Sequence, residues 1–304
     1  MSMPEKQTVA VTVDGHRMQV SNLDKVMYPA TETTKGEVLN YYARVAPILL
    51  PHLAERPVTR IRWPHGVAGP SFFEKNLPGG APSWLRSVTV PSSGSRGGGD
   101  TITYPVIDST AALTYLVNLA SLELHVPQWR FDGDGQPLNP DRLVIDLDPG
   151  SPAGLHECAR LALAVRERME GLGLRCAPVT SGSKGMQLYA RLPGDQDADE
   201  IRDVARQVAQ ALTREQPDQV VWKMTKSLRP GKVLLDWSQN TAAKTTISPY
   251  SLRGREQPWV AAPRTWEEVE AGAERPDALR QLDFEAVLKR VERDGDIFAD
   301  LLRG

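Results

Sequence analysis

The segment Leu143-Val-Ile-Asp-Leu-Asp-Pro149 decides the fold, because it combines an aliphatic, β-branched run with two carboxylates two positions apart. Such a run predicts a buried β-strand, in which side chains alternate between two faces. Asp146 and Asp148 are therefore expected on the same face. Two carboxylates there repel each other and are costly to desolvate, so the pair indicates a divalent metal site. Because Pro149-Gly150 ends the strand, we expect the site at an edge of the sheet.

A second aspartate in the same setting supports the metal site. An isolated Asp-x-Asp is more often a pair of solvated residues at a strand end. Here, however, Lys232-Val-Leu-Leu-Asp236-Trp237 is another short apolar segment that ends in a carboxylate. Asp146, Asp148 and Asp236 on two strands can hold one or two Mg²⁺ or Mn²⁺ ions, which prefer oxygen ligands.

The loop Thr180-Ser-Gly-Ser-Lys-Gly185 joins two predicted strands and consists mostly of small residues. Its backbone amides, the hydroxyls of Ser181 and Ser183, and the charge of Lys184 predict a phosphate-binding loop. It is not a Walker A loop, since the spacing differs and a strand follows it. An isolated loop of this kind is more often a flexible turn. The nearby carboxylates and cations favour phosphate binding.

Residues 223–255 are strongly basic, with Asp236 as the only acid. A solvated basic face would normally carry interspersed acids, so this run favours contact with a polyanion. The whole chain has a net charge of -2, so the basic character is local. It predicts one groove for nucleic acid or a nucleoside triphosphate. The cations are Lys223, Lys226, Arg229, Lys232, Lys244, Arg253 and Arg255.

Composition places the chain among intracellular globular proteins. Its 304 residues permit one large domain or two modules. Because the sequence has no long apolar run, we expect no membrane span and no membrane partner. The polar N-terminus lacks a signal core, and Cys158 and Cys176 are the only cysteines, so a reducing, cytoplasmic location is expected. Both cysteines are predicted to be buried apolar residues.

Helical and strand patterns alternate along the chain, which predicts an α/β (α+β) fold with mixed sheets packed by helices. A capping box at Thr34-Lys-Gly-Glu37 starts a helix that runs to about residue 50, and Ser109 caps another. Further helices are predicted within 158–172, 201–212 and 282–291, and strands near Val144, Val179, Leu188 and Leu234. Residues 256–304 are interpreted as packing, without a role in chemistry.

Two aromatic clusters and one glycine-rich loop are further candidates for contact with nucleic acid. Residues 60–75 and 125–130 interleave aromatic residues with cations, although core packing is the alternative for each aromatic ring. Phe72 and Phe73 face opposite ways on a strand, so at most one of them is expected to be a stacking platform. The loop 92–100 is either a plain hairpin connection or a flexible arm that touches nucleic acid.

Taken together, these motifs resemble the primase-polymerase domain of bacterial ligase D, within the archaeo-eukaryotic primase superfamily. The resemblance spans about residues 21–298. It implies a primase-type catalytic core, a single domain over 1–304 with a DNA-binding portion at about 1–135 and a metal- and nucleotide-binding portion at about 136–260. The motifs that carry it are Asp24-Lys-Val-Met-Tyr-Pro29, Phe72-Phe-Glu-Lys75, His125-Val-Pro-Gln-Trp129, Asp146-Leu-Asp-Pro149, Thr180-Ser-Gly-Ser-Lys-Gly185, Thr225-Lys-Ser-Leu-Arg229, Asp236-Trp-Ser-Gln-Asn240 and the segment 244–255.

The resemblance also implies an activity and residue roles. The activity is a DNA-directed nucleotidyltransferase that fills short gaps, prefers ribonucleotides and uses Mn²⁺ or Mg²⁺. A core histidine remains the alternative for His125, and either Phe72 or Phe73 would stack on template. The matching positions are Asp146, Asp148 and Asp236 for metal and catalysis; His125, Ser181, Ser183, Lys184, Arg229, Lys244 and Arg253 for the nucleotide; and Asn22, Lys25 and Lys35 for a DNA 5′-phosphate.

Two positions depart from the family pattern. Ile61 stands where the family often has a third basic residue, which is expected to weaken the grip on a 5′-phosphate. Gln187 stands where the family usually has a histidine, and glutamine cannot act as a general acid. If this position helps pyrophosphate to leave, the enzyme is expected to perform that step less well.

The implied partners are gapped or primer-template DNA and nucleoside triphosphates, with the protein associated with the nucleoid. Because no ligase or nuclease motif accompanies the domain, we expect a stand-alone polymerase of the type that occurs beside ligase C in actinobacteria and serves excision repair. End joining with Ku and ligase D is an alternative, as is a primase that starts chains de novo. A further alternative is a non-catalytic module that bridges DNA ends through Lys25, Lys35 and the loop 92–100.

Overall fold

Two antiparallel or mixed sheets and the helices packed on them form the framework that carries the site. The computed structural model describes residues 8–91 and 101–301, and the loop 92–100 considered above lies outside them. Strands and helices are numbered here in chain order. The larger sheet contains, in spatial order, β15 (Val220–Val221), β16 (Val233–Asp236), β12 (Arg142–Pro149), β14 (Met186–Arg191), β13 (Cys176–Thr180) and β19 (Ala262–Pro263).

A second, four-stranded sheet is antiparallel throughout and combines early and late parts of the chain. Its spatial order is β17 (Thr246–Ile247), β9 (Ser121–Val126), β5 (Thr59–Arg62) and β6 (Phe72–Glu74). The other strands of the described residues form separate two-stranded sheets. These pair β1 (Thr8–Val13) with β2 (His16–Ser21), β3 (Val26–Tyr28) with β4 (Thr33–Thr34), β7 (Ser87–Pro91) with β8 (Thr101–Pro105), β10 (Trp129–Phe131) with β11 (Pro137–Pro140), and β18 (Trp259–Val260) with β20 (Leu282–Asp283).

The helices begin where the sequence places their caps. Thr34 and Glu37 form the predicted capping box at the start of α1, and the Ser109 side chain caps α2. The α-helices are α1 (Lys35–Leu53), α2 (Thr110–Asn118), α3 (Leu155–Gly171), α4 (Ala198–Glu215), α5 (Trp266–Glu274) and α6 (Phe284–Asp294), and 3₁₀ turns cover Pro29–Thr31, Lys226–Leu228, Trp237–Asn240 and Ala299–Leu301. None of the helices in the described ranges is long and apolar enough to cross a bilayer. The predicted mixed α/β fold is confirmed.

Strand β12 separates two packing environments, and this separation creates the site. Leu143, Ile145 and Leu147 belong to the apolar cluster that also contains the buried faces of α3 and α4. The intervening residue Val144 belongs to the other cluster, together with residues of α1 and the four-stranded sheet. Because faces alternate along a strand, Asp146 shares the face of Val144 and lies where that packing gives way to a cavity.

The predicted position at a sheet edge is wrong. Strand β12 pairs with β14 on one side and with β16 on the other, so it is an interior strand of the larger sheet. The Pro-Gly sequence at its end terminates the strand without exposing an edge. The aspartates consequently lie in the middle of the sheet, near the end of β12.

Asn240 completes the pairing of β12 beyond the end of β16. Its Oδ1 accepts a hydrogen bond from Val144 N at 2.8 Å, and its Nδ2 donates to Val144 O at 2.7 Å. The Asn240 side chain is buried, as is Val144. One amide side chain thus replaces a neighbouring strand at a position where the chain has already turned into a 3₁₀ helix.

Substitution of Asn240 by alanine should destabilise the fold strongly. It leaves a buried N–H and a buried C=O of Val144 without partners, which should lower the free energy of unfolding by roughly 2–4 kcal/mol. Urea denaturation followed by circular dichroism measures this change. As a control, Asn139→Ala removes an exposed amide that donates to Gly194 O at 3.1 Å, and should shift the midpoint little. Equal midpoints for the two variants would contradict the role assigned to Asn240.

Candidate active site

The three predicted metal-binding aspartates lie on one face of the larger sheet. In the antiparallel register of β12 and β16, Asp146 is directly opposite Asp236, and Asp148 lies two residues further along β12. Gln187 of β14 is opposite Asp146 on the other side. A cavity of about 220 Å³ opens over this face, and both Asp146 and Asp148 line it.

Asp146 is a carboxylate whose ionised form is strongly disfavoured by its surroundings. Burial, followed by the charge of Asp236, raises the pKa of its carboxyl to about 7, although a hydrogen bond from Gln187 acts to lower it. Asp148 is half exposed, and its Oδ2 lies 3.5 Å from an Nη of Arg229. A cation between the carboxylates would offset both the burial and the repulsion.

Asp236 also caps the 3₁₀ helix that follows it. Its Oδ1 accepts hydrogen bonds from Ser238 N at 2.9 Å and from the Ser238 hydroxyl, and its Oδ2 accepts one from Gln239 Nε2 at 3.0 Å. Lys244 Nζ in turn donates to the Ser238 hydroxyl. The predicted nucleotide ligand Lys244 is therefore connected to the aspartate cluster through Ser238.

The carboxylates suit a divalent cation in chemistry but are not gathered into a finished cage. Across residues 8–91 and 101–301, no three His, Cys, Asp or Glu side chains converge on one point. Asp236 faces its own 3₁₀ helix, and Asp148 lies beside Arg229. Three carboxylates on one face, one of them with a strongly raised pKa, are nevertheless a donor set that fits Mg²⁺ or Mn²⁺.

The phosphate-loop candidates face the same cavity through their side chains. Ser181, Ser183 and Lys184 all line it. The predicted cradle of backbone amides, however, is wrong for three of the amides in the loop. Ser181 N donates to Gly185 O at 3.0 Å, Gly182 N to Gln281 Oε1 at 2.8 Å, and Ser183 N to Ser181 Oγ at 3.3 Å. The two hydroxyls and the Lys184 ammonium are the groups of the loop that stay candidates for binding an anion.

Gln281 clamps this loop, although it belongs to the segment that the sequence analysis assigned to packing alone. Its Oε1 accepts from Gly182 N, and its Nε2 donates to Gly185 O at 3.0 Å. The interpretation of 256–304 as packing without a role in chemistry stays a prediction, but at this position the packing includes hydrogen bonds to the loop. No spacing rule connects a glutamine to a loop about a hundred residues earlier, so only the tertiary structure reveals the contact.

Gly185 allows the loop to lie directly against the aspartate strand. A Cβ atom at this position would fall 1.9 Å from Leu147 O, far inside any tolerated contact. Leu147 lies between Asp146 and Asp148, so the close approach couples the position of Lys184 to that of the two carboxylates. Glycine is the residue that permits such an approach.

His125 and Arg253 line the cavity and meet at Glu123. Glu123 Oε2 lies 2.7 Å from His125 Nε2 and 3.2 Å from an Nη of Arg253, and its Oε1 accepts from Gly254 N at 2.9 Å. Burial pushes the pKa of Glu123 upward, but His125, Arg253 and Gly254 together lower it. Glu123 was not predicted from the sequence. The alternation in Ser121-Leu-Glu-Leu-His125 was the signal, since it places Glu123 and His125 on one face.

The three candidates for a 5′-phosphate lie close together, Asn22 and Lys25 in the turn between β2 and β3 and Lys35 at the first residue of α1. Lys25 N donates to Asn22 O at 3.1 Å, and Lys35 N donates to Lys25 O at 2.8 Å. Both ammonium groups also bond the protein: Lys25 Nζ donates to Pro64 O, and buried Lys35 donates to Ser21 O and Asn118 Oδ1. The two positive charges therefore lie in this turn and at the start of α1, and each ammonium group also donates to the protein.

The template-stacking candidates are exposed at the edge of the four-stranded sheet. Phe72 is 48% exposed and Phe73 is 61% exposed. Phe73 lines a separate cavity of about 500 Å³ with Arg62 and Lys75. Ile61 pairs with Phe73 on one side and with Glu123 on the other. The replacement of a basic residue by Ile61 therefore changes the surface next to Phe73.

The fold and site together define a nucleotidyltransferase of the primase-polymerase class. Residues 34–298 match the family model described as "LigD, primase-polymerase domain". The chain belongs to this family. The sequence-based resemblance to the ligase D domain is confirmed.

Individual relatives agree with this assignment. The chain is 50% identical over 291 residues to the multifunctional non-homologous end joining DNA repair protein LigD of Mycobacterium tuberculosis, covering 94% of this chain and 37% of that protein. It is 33% identical over 288 residues to the bifunctional LigD of Bacillus subtilis, covering 94% of this chain and 44% of that protein. The chain thus spans less than half the length of these curated relatives.

A solved structure shows the same architecture. The polymerase domain of Mycobacterium tuberculosis ligase D, determined in complex with DNA, matches with a TM-score of 0.87 at 49% identity. The match covers 94% of this chain and 98% of that chain. The predicted primase-type core is therefore confirmed over nearly the whole sequence.

Replacing Gly185 by alanine should displace the phosphate loop from the aspartate strand. The new methyl group would overlap Leu147 O, and relief requires a backbone shift that should cost about 1–3 kcal/mol of stability. Nucleotide incorporation should fall at least tenfold even where the variant is fully folded, as measured by primer extension. Gly171→Ala, at the end of α3 with open space around its Cβ position, is the matched control and should retain activity. Normal incorporation by the Gly185 variant would contradict the coupling.

Proposed function

We propose that this protein fills short gaps in DNA by adding nucleotides to a primer 3′-hydroxyl. The observation that carries the proposal is the placement of Asp146 directly opposite Asp236, beneath a cavity that Lys184 and Arg253 also line. Carboxylates for a cation and basic groups for phosphates therefore face one space. This combination suits transfer of a nucleotidyl group.

The reaction is an in-line displacement at the α-phosphorus of a nucleoside triphosphate. The primer 3′-oxygen forms the new O–P bond, the bond between the α-phosphorus and the bridging oxygen breaks, and pyrophosphate leaves as the 3′-hydroxyl loses its proton. Bound Mg²⁺ or Mn²⁺, held by Asp146, Asp148 and Asp236, would lower the pKa of that hydroxyl and neutralise the triphosphate.

The protein's own groups bind and orient the nucleotide. Lys184, Arg253 and the hydroxyls of Ser181 and Ser183 supply positive charge and donors at the cavity wall. Arg229 beside Asp148 and Lys244 beside Ser238 extend the basic surface around the aspartates. Gln187 bonds Asp146 and accepts from Tyr189 OH at 3.0 Å, so it orients this carboxylate. The expected deficit in assisting pyrophosphate release stays a prediction.

DNA would approach from the N-terminal part of the fold. The exposed ring of Phe73 is suited to stack on a template base. The positive charges of Lys25 and Lys35, close to Asn22, are suited to attract a downstream 5′-phosphate. The solved relative, determined in complex with DNA, supports a nucleic-acid substrate. A protein that acts on chromosomal DNA would be associated with the nucleoid.

The biological setting proposed is the joining of broken DNA ends, with Ku as partner. The named relatives are end-joining proteins, which favours this setting over excision repair beside ligase C. The chemistry of gap filling is the same in both. The preference for ribonucleotides and the use of Mn²⁺ or Mg²⁺ are part of the proposal and rest on the family resemblance.

Asp148→Asn should abolish incorporation and leave DNA binding nearly intact. The amide keeps the size of the side chain but removes the charge that a cation requires, so extension across a one-nucleotide gap in Mn²⁺ should fall by at least about 10²-fold. Ribonucleotide and deoxyribonucleotide are compared in parallel, and fluorescence anisotropy reports DNA affinity. The exposed Asp195→Asn serves as control. Retained extension by the Asp148 variant would remove the metal assignment.

The same assay separates the alternatives. Labelled dinucleotides formed without any primer would establish a primase. Failure of the unmodified protein to extend any primer, together with the bridging of two duplex ends, would instead favour the non-catalytic module.

Lys25→Ala should reduce the preference for a 5′-phosphorylated gap. Loss of one charged donor near the phosphate should weaken binding of that substrate about tenfold, while affinity for the matching 5′-hydroxyl gap changes little. Anisotropy titrations with the two substrates measure the ratio. Lys289→Ala, which removes an exposed cation from α6, is the control. An unchanged ratio in the Lys25 variant would overturn the 5′-phosphate assignment.

A further inference from the structure

Glu123 is a buried carboxylate at the wall of the candidate active site that is assigned no role in the proposed chemistry. It is 4% exposed and lies on β9, two residues before His125. Its two oxygens accept hydrogen bonds from three groups: the His125 ring, the Arg253 guanidinium and the backbone N–H of Gly254. Two of these partners are side chains that line the nucleotide cavity.

The energetics of Glu123 point to a positioning role. A buried carboxylate costs stability unless several donors compensate for the lost water. The donors around Glu123 do so, because its pKa is lowered in spite of burial. The ionised form is therefore the one that the fold retains. An apolar residue would avoid the desolvation cost altogether, so the charge calls for an explanation beyond packing.

Glu123 sets the orientation of the Arg253 side chain. The backbone of Arg253 is fixed independently, since its N–H donates to Trp259 O at 2.8 Å and its carbonyl accepts from Tyr28 OH at 2.9 Å. Its guanidinium bonds Glu123 through one Nη, while its Nε is buried without a partner. The contact to Glu123 thus holds the planar fork in one orientation at the cavity wall.

Glu123 also selects the tautomer of His125. An ionised carboxylate can only accept hydrogen bonds, so the His125 Nε2 that lies 2.7 Å away must carry a proton. Nδ1 is then the ring nitrogen that a ligand in the cavity can use. Carboxylates fix imidazole tautomers in the same way around metal-binding histidines.

We propose that Glu123 is a positioning residue for nucleotide binding, which holds the Arg253 fork and the His125 ring in place before the triphosphate arrives. The inference rests on the proposed function, since it takes the cavity to bind a nucleoside triphosphate. Pre-oriented side chains do not have to be ordered on binding, so less of the binding free energy is lost. Glu123 acts through its neighbours, without touching the nucleotide.

Glu123→Gln tests this role, because it keeps the shape and removes the charge. The KM for the incoming nucleotide should rise about tenfold while kcat changes less than threefold, since a charged hydrogen-bond partner of a binding group is lost but no reacting group is. The Kd for gapped DNA without nucleotide should not change. An unchanged KM would overturn the proposal.

Glu268→Gln is the matched control. Glu268 is also held by two arginines, Arg264 and Arg290, and by the N–H of Thr265, but it lies on α5 outside the cavity lining. It should lose stability with the KM unchanged. If both variants raise the KM in proportion to their loss of stability, the effect is structural and the proposal fails.

A double-mutant cycle with Arg253→Lys adds a readout that a merely structural role would not move. Because Glu123 acts partly through Arg253 and partly through His125, the loss of nucleotide affinity in the double variant should be smaller than the sum of the two single losses. Fully additive losses would overturn the proposal. Absence of nucleotide binding by the unmodified protein would instead overturn the proposed function, and this inference with it.

A measurement on the unmodified protein keeps the test independent of variant folding. Nitrogen-15 chemical shifts of labelled histidine show which ring nitrogen of His125 carries a proton, with His125→Asn used for assignment. A proton on Nε2 supports the proposal. A neutral ring protonated only at Nδ1 overturns it.

Discussion

The repulsion between Asp146 and Asp236 is the constraint on which the site depends. The two residues are register partners in adjacent antiparallel strands, so their backbones cannot move apart without breaking the sheet. Strand β12 is held on its other side by β14 as well. The carboxylates must therefore be accommodated by electrostatics, through a raised pKa of Asp146 or through a cation.

In the site, negative and positive side chains lie on different kinds of secondary structure. The carboxylates stand on rigid, fully paired strands above an apolar layer shared with α3 and α4. The cations Lys184, Arg229 and Arg253 stand on loops or turns. Rigid anions can define a cation site sharply, whereas cations on shorter, adjustable segments can follow a polyphosphate. Glu123, Gln281 and Gly185 limit how far these segments can move.

Local patterns predicted much of this arrangement. The capping box at Thr34, the strands around Asp146 and Asp236, and the loop between β13 and β14 follow from periodicity and turn chemistry. Helix α5 was missed, although Thr265 and Glu268 form a capping box of the same kind. The interior position of β12 could not be derived, because strand order depends on pairings between distant segments.

Polar contacts across long sequence separations were the other limit of prediction. The loop amides were expected to face an anion, but whether an N–H is free depends on which side chains come near it, and Gln281 comes from the far end of the chain. The same holds for Lys35, whose ammonium bonds Asn118, and for Asp236, which caps its own 3₁₀ helix. Residue types identified the chemistry of the site, while tertiary contacts decided which atoms are available for it.

The clamp on the phosphate loop has a consequence for biogenesis. The loop spans residues 181–185, yet the side chain that bridges its two ends is residue 281. During synthesis, both aspartate strands leave the ribosome before this glutamine does. A nascent chain therefore carries its carboxylates before its loop is clamped. Because the aspartates are synthesised before Gln281, a partly synthesised chain has the carboxylates of the site without the clamp on its phosphate loop.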